Sequence, residues 1–181
     1  MLRVTVLIQM LLISASTMTV AAACPGASAA NAPGELHSQW ILQGWERHEG
    51  DGCFVFAEKL GRCYSARNDL HLYDSFDPKH RIARTAAEYG SFWEGPFNGF
   101  KSARHAVTDG PDVLIGEGLA TTTLEFVARL ENLDGKVTGA RARSSLVWRC
   151  EEGAWRIVRE QNAVREVPQA EVEAALQGSK R

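Results

Sequence analysis

Alternating apolar and polar positions are clearest in the stretch Val137–Ala163. Two runs rich in β-branched and aromatic residues flank the polar turn Glu151-Glu152-Gly153, which is the pattern of a β-hairpin. In the first arm, Arg, Ser and Val alternate with Ala, Ser, Leu and Trp. In the second arm, one face takes Trp155, Ile157 and Arg159, and the other takes Arg156, Val158 and Glu160. We expect this hairpin to form the spine of a curved sheet, with Trp148 and Trp155 largely buried, one on each side of the hairpin arms.

Three segments upstream have apolar residues at helical spacing. They span residues 35–49, 53–64 and 84–100, and Pro96 is expected to interrupt the third because it lacks an N–H and clashes one turn back. The aromatic residues of this third helix, Trp93 and Phe97 among them, either close the open end of the sheet or line a pocket. A weaker helical pattern follows at 170–176, after Pro168.

Further strands are predicted at 70–76, 102–108 and 113–130. Asp109-Gly110-Pro111 is expected to end the second of these strands, and Gly116 and Gly118 to bend the third. The order of elements predicts an α+β fold: a curved antiparallel sheet with N-terminal helices on its concave face, which together form a cone.

The C-terminal hairpin resembles that of the SnoaL-like proteins, a family of the nuclear transport factor 2-like superfamily, to which ketosteroid isomerase also belongs. The matching residues are Arg143, Ser145, Val147, Gly153, Trp155, Ile157 and Val158. The order of elements agrees over residues 36–165. The resemblance implies one mostly apolar pocket at the wide end of the cone, and a homodimer formed through the outer face of the sheet. It does not fix the chemistry, because the fold hosts both enzymes and binding modules.

Bulk properties divide the chain of 181 residues into a leader and one domain. We expect a signal peptide at 1–23, a flexible linker at 24–35, the SnoaL-like domain at 36–167 and a tail at 168–181. Twenty basic and 22 acidic residues, without a basic block, argue against a nucleic-acid partner. No motif for a nucleotide, a catalytic triad or a metal is present, so no cofactor is expected.

The first residues have the pattern of an export signal. An apolar run, Val4–Val20, precedes the small residues Ala21-Ala22-Ala23, so we expect a periplasmic or secreted protein. The alternative is a lipoprotein that is attached to the membrane through Cys24. The four cysteines allow three pairings. Cys53 and Cys63 share a predicted helix, which places them about 15 Å apart, too far to bridge each other. At least two of the cysteines are expected to be buried free thiols.

The resemblance also suggests site residues. Asp74, at the end of the first strand, matches the general base of ketosteroid isomerase; the alternative is that it caps the turn at Asp77-Pro78. The Tyr that binds the oxyanion in that enzyme has no counterpart in the first predicted helix. His105 is a second candidate base or a structural histidine. Trp40, Tyr64, Trp93, Phe97 and Gln161 are candidate pocket-lining residues. Gln161 stands where many SnoaL-like chains have a histidine, and it cannot act as a base.

Two functions are compatible with these residues. The first is an exported domain that binds a small apolar or polyketide- or steroid-like molecule without strong catalysis. The second is a cofactor-independent isomerase, dehydratase or cyclase with Asp74 as general base. Arg141 and Arg143 either bind an anion or form ion pairs across the sheet with Glu125 or Glu160. Whether the protein is an enzyme is left open at this point.

Overall fold

The computed structural model describes residues 23–26 and 29–179. Residues 1–22 of the expected signal peptide therefore lie outside the described residues. The helices are α1 (Pro33–Gln39), continued by a π-helical turn (Trp40–Gly44), α2 (Phe56–Lys59), followed by a 3-10 turn (Gly61–Cys63), α3 (Ala86–Asn98) and α4 (Gln169–Gly178). The strands are β1 (His71–Asp74), β2 (Ile82–Ala83), β3 (Phe100–Ile115), β4 (Leu119–Asn132), β5 (Val137–Glu151) and β6 (Ala154–Val167).

The six strands form one curved, open sheet in the order β2-β1-β6-β5-β4-β3, with helices packed on it. This confirms the predicted α+β class. The sheet is mixed, however, because β1 pairs with β6 in parallel while the other neighbours are antiparallel. The first strand returns to the sheet beside the last one, a long-range pairing that local patterns do not encode.

Two of the three predicted N-terminal helices are shorter than expected. The first ends at Gly44, because Arg47 leaves the helix and exchanges two backbone hydrogen bonds of 2.9 Å with Ala103 of β3. The second reduces to α2 and a 3-10 turn. The third continues past Pro96 to Asn98, since the proline lies in the last turn, where little helix remains to be disrupted.

The predicted strand break at Gly110-Pro111 is wrong. Strand β3 runs through these residues to Ile115 and absorbs the irregularity in two register shifts, on either side of Asp109. The two glycines expected to bend the next strand instead form the turn between β3 and β4. Gly118 has φ +72° there, which glycine adopts at little cost.

The predicted hairpin is confirmed, and it contains a β-bulge. Val147 pairs with Arg159 and Trp148 pairs with Ile157, so Val158 has no partner on β5. From this point the alternation along β6 is shifted by one residue. Glu160 and Asn162 consequently turn into the core, while Arg159 and Gln161 are exposed.

The inner face of the sheet carries the main hydrophobic core. Trp148 and Trp155 are both buried there, as predicted, but they lie on the same face and not one on each side. The outer face is partly covered by α4. Val172 of this helix is fully buried against Ala106, Val127 and Val167. The predicted tail is therefore a packed helix on the convex side.

Ion pairs run along the outer face. Arg143 is bonded to Glu125, Arg141 lies 3.6 Å from Glu125, and Arg141 also pairs with Glu171 of α4 at 2.9 Å. The ion-pair alternative for the two arginines is thus present, with Glu125 as the acid. The choice of Glu160 as a partner is wrong, because that residue is on the inner face.

A disulfide joins Cys24 to Cys150 at the end of β5. The segment that was expected to be a flexible linker is therefore attached to the sheet near its start, and Trp155 Nε1 donates to the Pro25 carbonyl at 2.9 Å. Cys53 and Cys63 are free thiols; Cys53 is exposed, which corrects the expectation of burial, and Cys63 is half-buried. Within the described part of the chain, no helix is both long and apolar enough to cross a membrane.

Candidate active site

A cavity of about 90 Å³ lies between the inner face of the sheet and the helices. Its wall is formed mostly by aromatic and aliphatic side chains, and its polar members are Asp74, His105 and Asn162. Seven aromatic residues line it: Trp40, Trp45, Phe76, Trp93, Phe97, Phe100 and Phe126. Phe76 is 37% exposed while it lines the cavity, so it marks the mouth.

Asp74 closes β1 and contributes its carboxylate to the cavity wall. Its Oδ1 accepts from the backbone N–H of Phe76 at 2.7 Å, and its Oδ2 accepts from Asn162 Nδ2 at 3.1 Å. Loss of hydration raises the pKa of Asp74 to about 6. The two hydrogen bonds that its carboxylate accepts act in the opposite direction and lower the pKa. The sequence offered two alternatives for Asp74, a turn cap or a cavity residue. The side chain has both features, because it accepts a hydrogen bond from the backbone of its own turn and also lines the cavity.

Glu160 lies directly behind this wall. Its carboxylate accepts hydrogen bonds from Tyr64 OH at 2.7 Å, Tyr89 OH at 2.6 Å and Asn162 Nδ2 at 2.8 Å. Burial raises the pKa of Glu160 to about 7, although the tyrosine hydrogen bonds lower it. Because Asn162 donates to both carboxylates, it bridges Glu160 to Asp74.

Glu160 and Asn162 were not predicted as site residues, although the sequence of β6 contains one signal for them. Ile157 and Val158 are adjacent apolar residues, and this breaks the alternation that the hairpin otherwise follows. Two neighbouring apolar residues in a half-buried strand are typical of a bulge. A bulge there reverses which later residues face inward.

Four buried polar atoms have no hydrogen-bond partner among the described residues: Trp45 Nε1, Trp93 Nε1, His105 Nδ1 and Asn162 Oδ1. All four residues line the cavity. Unsatisfied buried polar groups are costly and rare in folded proteins, so each of these atoms requires a partner, either ordered water or a ligand.

His105 shares this cavity with Asp74, but it is held by a different acid. Its side chain is 5% exposed, and its Nδ1 lies 3.6 Å from Glu46 Oε2. The same carboxylate oxygen accepts from the His105 backbone N–H at 3.3 Å. The proposed role of either residue as a base stays a prediction.

The remaining candidates fall into three places. Trp40, Trp93 and Phe97 line the cavity. Tyr64 is buried outside the cavity wall, where it accepts a hydrogen bond from Trp40 Nε1 at 3.0 Å and donates to Glu160. Gln161 is exposed on the outer face, because the bulge turns it away from the core.

A second buried polar cluster has a structural role. His37 is fully buried, with Nε2 2.9 Å from Ser144 Oγ and Nδ1 2.8 Å from Thr122 Oγ1. Burial lowers the pKa of His37 to about 3, so the ring is neutral. Trp148 Nε1 completes the cluster by donating to Thr122 Oγ1 at 2.8 Å. It fixes α1 to the sheet and does not line the cavity.

Among the described residues, no group of three His, Cys, Asp or Glu side chains is placed to hold a metal ion.

Comparison with solved structures gives the fold. The chain is similar to a putative calcium/calmodulin-dependent protein kinase II association domain from Xanthomonas campestris, with 16% identity and a TM-score of 0.55 over 83% of this chain and 96% of that one. It is also similar to a nuclear transport factor 2-like superfamily protein from Salmonella enterica, with 13% identity and a TM-score of 0.52 over 61% and 82% of the two chains.

A third similar structure is a putative scytalone dehydratase from Novosphingobium aromaticivorans, with 14% identity and a TM-score of 0.50 over 64% of this chain and 77% of that one. No protein-family model matches the sequence, and no curated protein does either. At these identities the similarity concerns the backbone alone. The chain thus has the fold of the nuclear transport factor 2-like superfamily.

Proposed function

We propose that this protein is an exported domain that binds a small molecule with a mostly apolar surface and at least one hydrogen-bonding group. The observation that carries the proposal is the set of four buried polar atoms that lack a hydrogen bond among the described residues, on residues around one mostly apolar cavity. Such a combination of apolar walls and a few polar groups is typical of small-molecule sites.

The size of the cavity limits the ligand. About 90 Å³ is well below the roughly 300–1,000 Å³ of sites for drug-sized molecules. A steroid or polyketide would require the cavity to enlarge, so the proposed ligand is smaller than the sequence analysis suggested. Movement of Phe76, which stacks on Trp93 at a centroid distance of 6.4 Å, would open the mouth.

Native mass spectrometry of the purified protein tests the proposal. We expect a co-purified or added small molecule to bind with one-to-one stoichiometry and to raise the melting temperature. A Phe97→Ala variant, which alters the cavity wall, should change the affinity, whereas Leu133→Ala, at an exposed position, should not. Absence of binding across a panel of small apolar, aromatic and amine compounds would contradict the proposal.

Catalysis of proton transfer is a second candidate function, favoured by one observation. Asp74 is a carboxylate on an apolar cavity, and its pKa is raised to about 6, near the range in which a general base works at neutral pH. Here the acid–base chemistry would be that of an isomerase or dehydratase.

Asp74→Asn separates the two functions. It keeps the shape and one acceptor oxygen of the side chain but removes the base, so an enzyme should lose about 10²-fold or more of its turnover while it retains ligand binding. Asp69→Asn, outside the cavity, is the matched control. Ligand binding without turnover in the wild-type protein supports the binding function alone.

The proposal that the protein is exported is supported by its disulfide bond. The Cys24–Cys150 disulfide is a bond typical of proteins in oxidising compartments. A sulfur in a disulfide cannot also carry a lipid, so this bond disfavours the lipoprotein alternative. N-terminal sequencing of exported protein tests it. The alanine-rich boundary allows a mature chain that begins between residues 24 and 30, and we expect a start at residue 24 because a later start would remove Cys24 and its disulfide. A cytosolic protein that retains Met1 would contradict export.

A homodimer through the sheet is proposed as well. Helix α4 covers part of the outer face, but Arg143 and Ser145 of β5 remain exposed beside Val147. We expect Val147→Glu to convert the dimer to a monomer in analytical ultracentrifugation, without changing the circular dichroism spectrum. A wild-type protein that sediments as a monomer at micromolar concentration would show that the proposed dimer does not form.

A further inference from the structure

The charge of the cavity and its wall is negative and is not balanced by lysine or arginine. Neither Asp74 nor Glu160 forms an ion pair with a lysine or arginine of the described chain; their partners are Phe76 N–H, Asn162, Tyr64 and Tyr89. On the opposite side, the imidazole of His105 is already beside Glu46, at 3.6 Å. Asp77, the next acid along the chain, is paired with Arg81 at 2.8 Å and faces its own turn. The uncompensated charge is therefore that of the Asp74–Glu160 pair.

The rest of the wall is suited to a cation. Seven aromatic side chains line a cavity of about 90 Å³. Aromatic faces carry a negative quadrupole and attract ammonium groups, by about 0.5–1 kcal/mol at exposed sites and about 2 kcal/mol or more where water is excluded. Aromatic rings around one acidic group are also a chemically suitable setting for alkylated ammonium ions, whose methyl groups contact the rings.

The side-chain oxygen of Asn162 indicates that the ligand carries a hydrogen-bond donor. Asn162 is 2% exposed, and both hydrogens of its amide are used by the two carboxylates, yet its Oδ1 has no donor. An acceptor in this position is satisfied by an N–H of the ligand. A cation without N–H, such as a quaternary ammonium, would leave it unpaired.

From these observations we infer that the cavity is selective for a small alkylammonium ion that carries at least one N–H, in preference to neutral or anionic molecules of the same shape. The inference rests on the proposed function and specifies its ligand class. The ammonium group is placed on the cavity side of the Asp74 carboxylate, which Asn162 holds at 3.1 Å, and its alkyl groups lie against the aromatic wall.

Three compounds of nearly the same shape test the charge preference: tert-butylammonium, tert-butanol and pivalate. By isothermal titration calorimetry at pH 7.5 we expect tert-butylammonium to bind about tenfold or more tightly than tert-butanol, and pivalate to bind more weakly than both. Tetramethylammonium should bind more weakly than trimethylammonium, because it cannot donate to Asn162. Equal or tighter binding of tert-butanol or pivalate would overturn the inference while leaving the proposed function in place.

Two further measurements assign the preference to Asp74. Asp74→Asn should remove most of the difference between tert-butylammonium and tert-butanol, whereas Asp69→Asn should preserve it. With the wild-type protein, the affinity for tert-butylammonium should fall as the pH is lowered from 7.5 through about 7, where Glu160 gains a proton, and further through about 6, where Asp74 gains one. The affinity for tert-butanol should stay constant. This titration does not depend on the folding of any variant, and a pH-independent preference would contradict the role of Asp74. If none of the compounds binds and no other small molecule does, the proposed function itself is wrong.

Discussion

At the scale of single residues, Glu160 is the most unusual position in the chain. A carboxylate that is 1% exposed normally has a cationic partner, but this one is held by two tyrosine hydroxyls and an amide. These neutral donors stabilise the charge only in part, which is why its pKa lies near 7. The desolvation of this carboxylate is unfavourable, and it occurs where Asn162 connects Glu160 to Asp74 in the cavity wall.

The raised pKa of Glu160 predicts a pH dependence of stability. The folded protein holds this proton more tightly than the unfolded chain, so between pH 4.5 and about 7 the free energy of unfolding should fall as the pH rises. The loss attributable to this group is up to about 3 kcal/mol. Glu160→Gln should remove it, and urea denaturation at pH 4.5, 6 and 7.5 measures the change in slope.

Glu166→Gln is the matched control, since Glu166 is exposed on the same strand and should leave the pH dependence as it is in the wild-type protein. If Glu160→Gln and wild type show the same slope over this interval, the carboxyl group of Glu160 does not carry the proton in question. Asp74, whose pKa is also raised, contributes a slope of the same sign in both proteins.

At the scale of elements, strand β6 positions the site. Its first part follows the alternation of the hairpin and places Trp155 and Ile157 in the core. The bulge at Val158 then reverses the alternation, so that Glu160 and Asn162, which simple alternation places on the face opposite Trp155, become inward-facing. The same shift exposes Gln161, which removes it from the cavity.

Trp155 tests the contribution of the hairpin to the core. Its side chain is 4% exposed, and truncation to alanine should lower the free energy of unfolding by about 3–5 kcal/mol, because a large cavity is left behind. Chemical denaturation measures this loss. Leu133→Ala, at a position that is 71% exposed, should change the stability by less than about 0.5 kcal/mol. An unchanged melting temperature for Trp155→Ala would mean that the hairpin is not part of the core.

At the scale of the whole molecule, both ends of the domain are attached to the sheet. The Cys24–Cys150 disulfide joins residues 126 positions apart and holds the N-terminal segment at the end of β5. At the other end, α4 is held on the outer face by Val172 and by ion pairs of Arg129 and Arg141 with Glu173 and Glu171. The N-terminal helices cover the inner face of the sheet, and α4 covers part of the outer face.

Removal of the disulfide should destabilise the protein by about 2–5 kcal/mol, because the unfolded chain regains the freedom of a long loop. The double variant Cys24→Ser/Cys150→Ser should therefore unfold at lower denaturant concentration than wild type. Cys53→Ser, which alters a free exposed thiol, should have little effect. A reducing agent should lower the stability of wild type and of Cys53→Ser but leave the double variant unchanged; an equal response of all three would contradict the bond.

Local patterns in the sequence were sufficient for the hairpin, for the α+β class, for the burial of Trp148 and Trp155, and for the placement of Asp74 at the end of the first strand. Each of these features depends on periodicity or on turn-forming residues within a short segment, and both can be read from the sequence alone. The tertiary structure decided the rest. The bulge that turns Glu160 inward, the pairing of β1 with β6, the choice of Cys150 as the partner of Cys24 and the closing of aromatic residues around one cavity all depend on contacts between residues far apart in the chain. Their energies are set by packing and desolvation, which no local pattern contains.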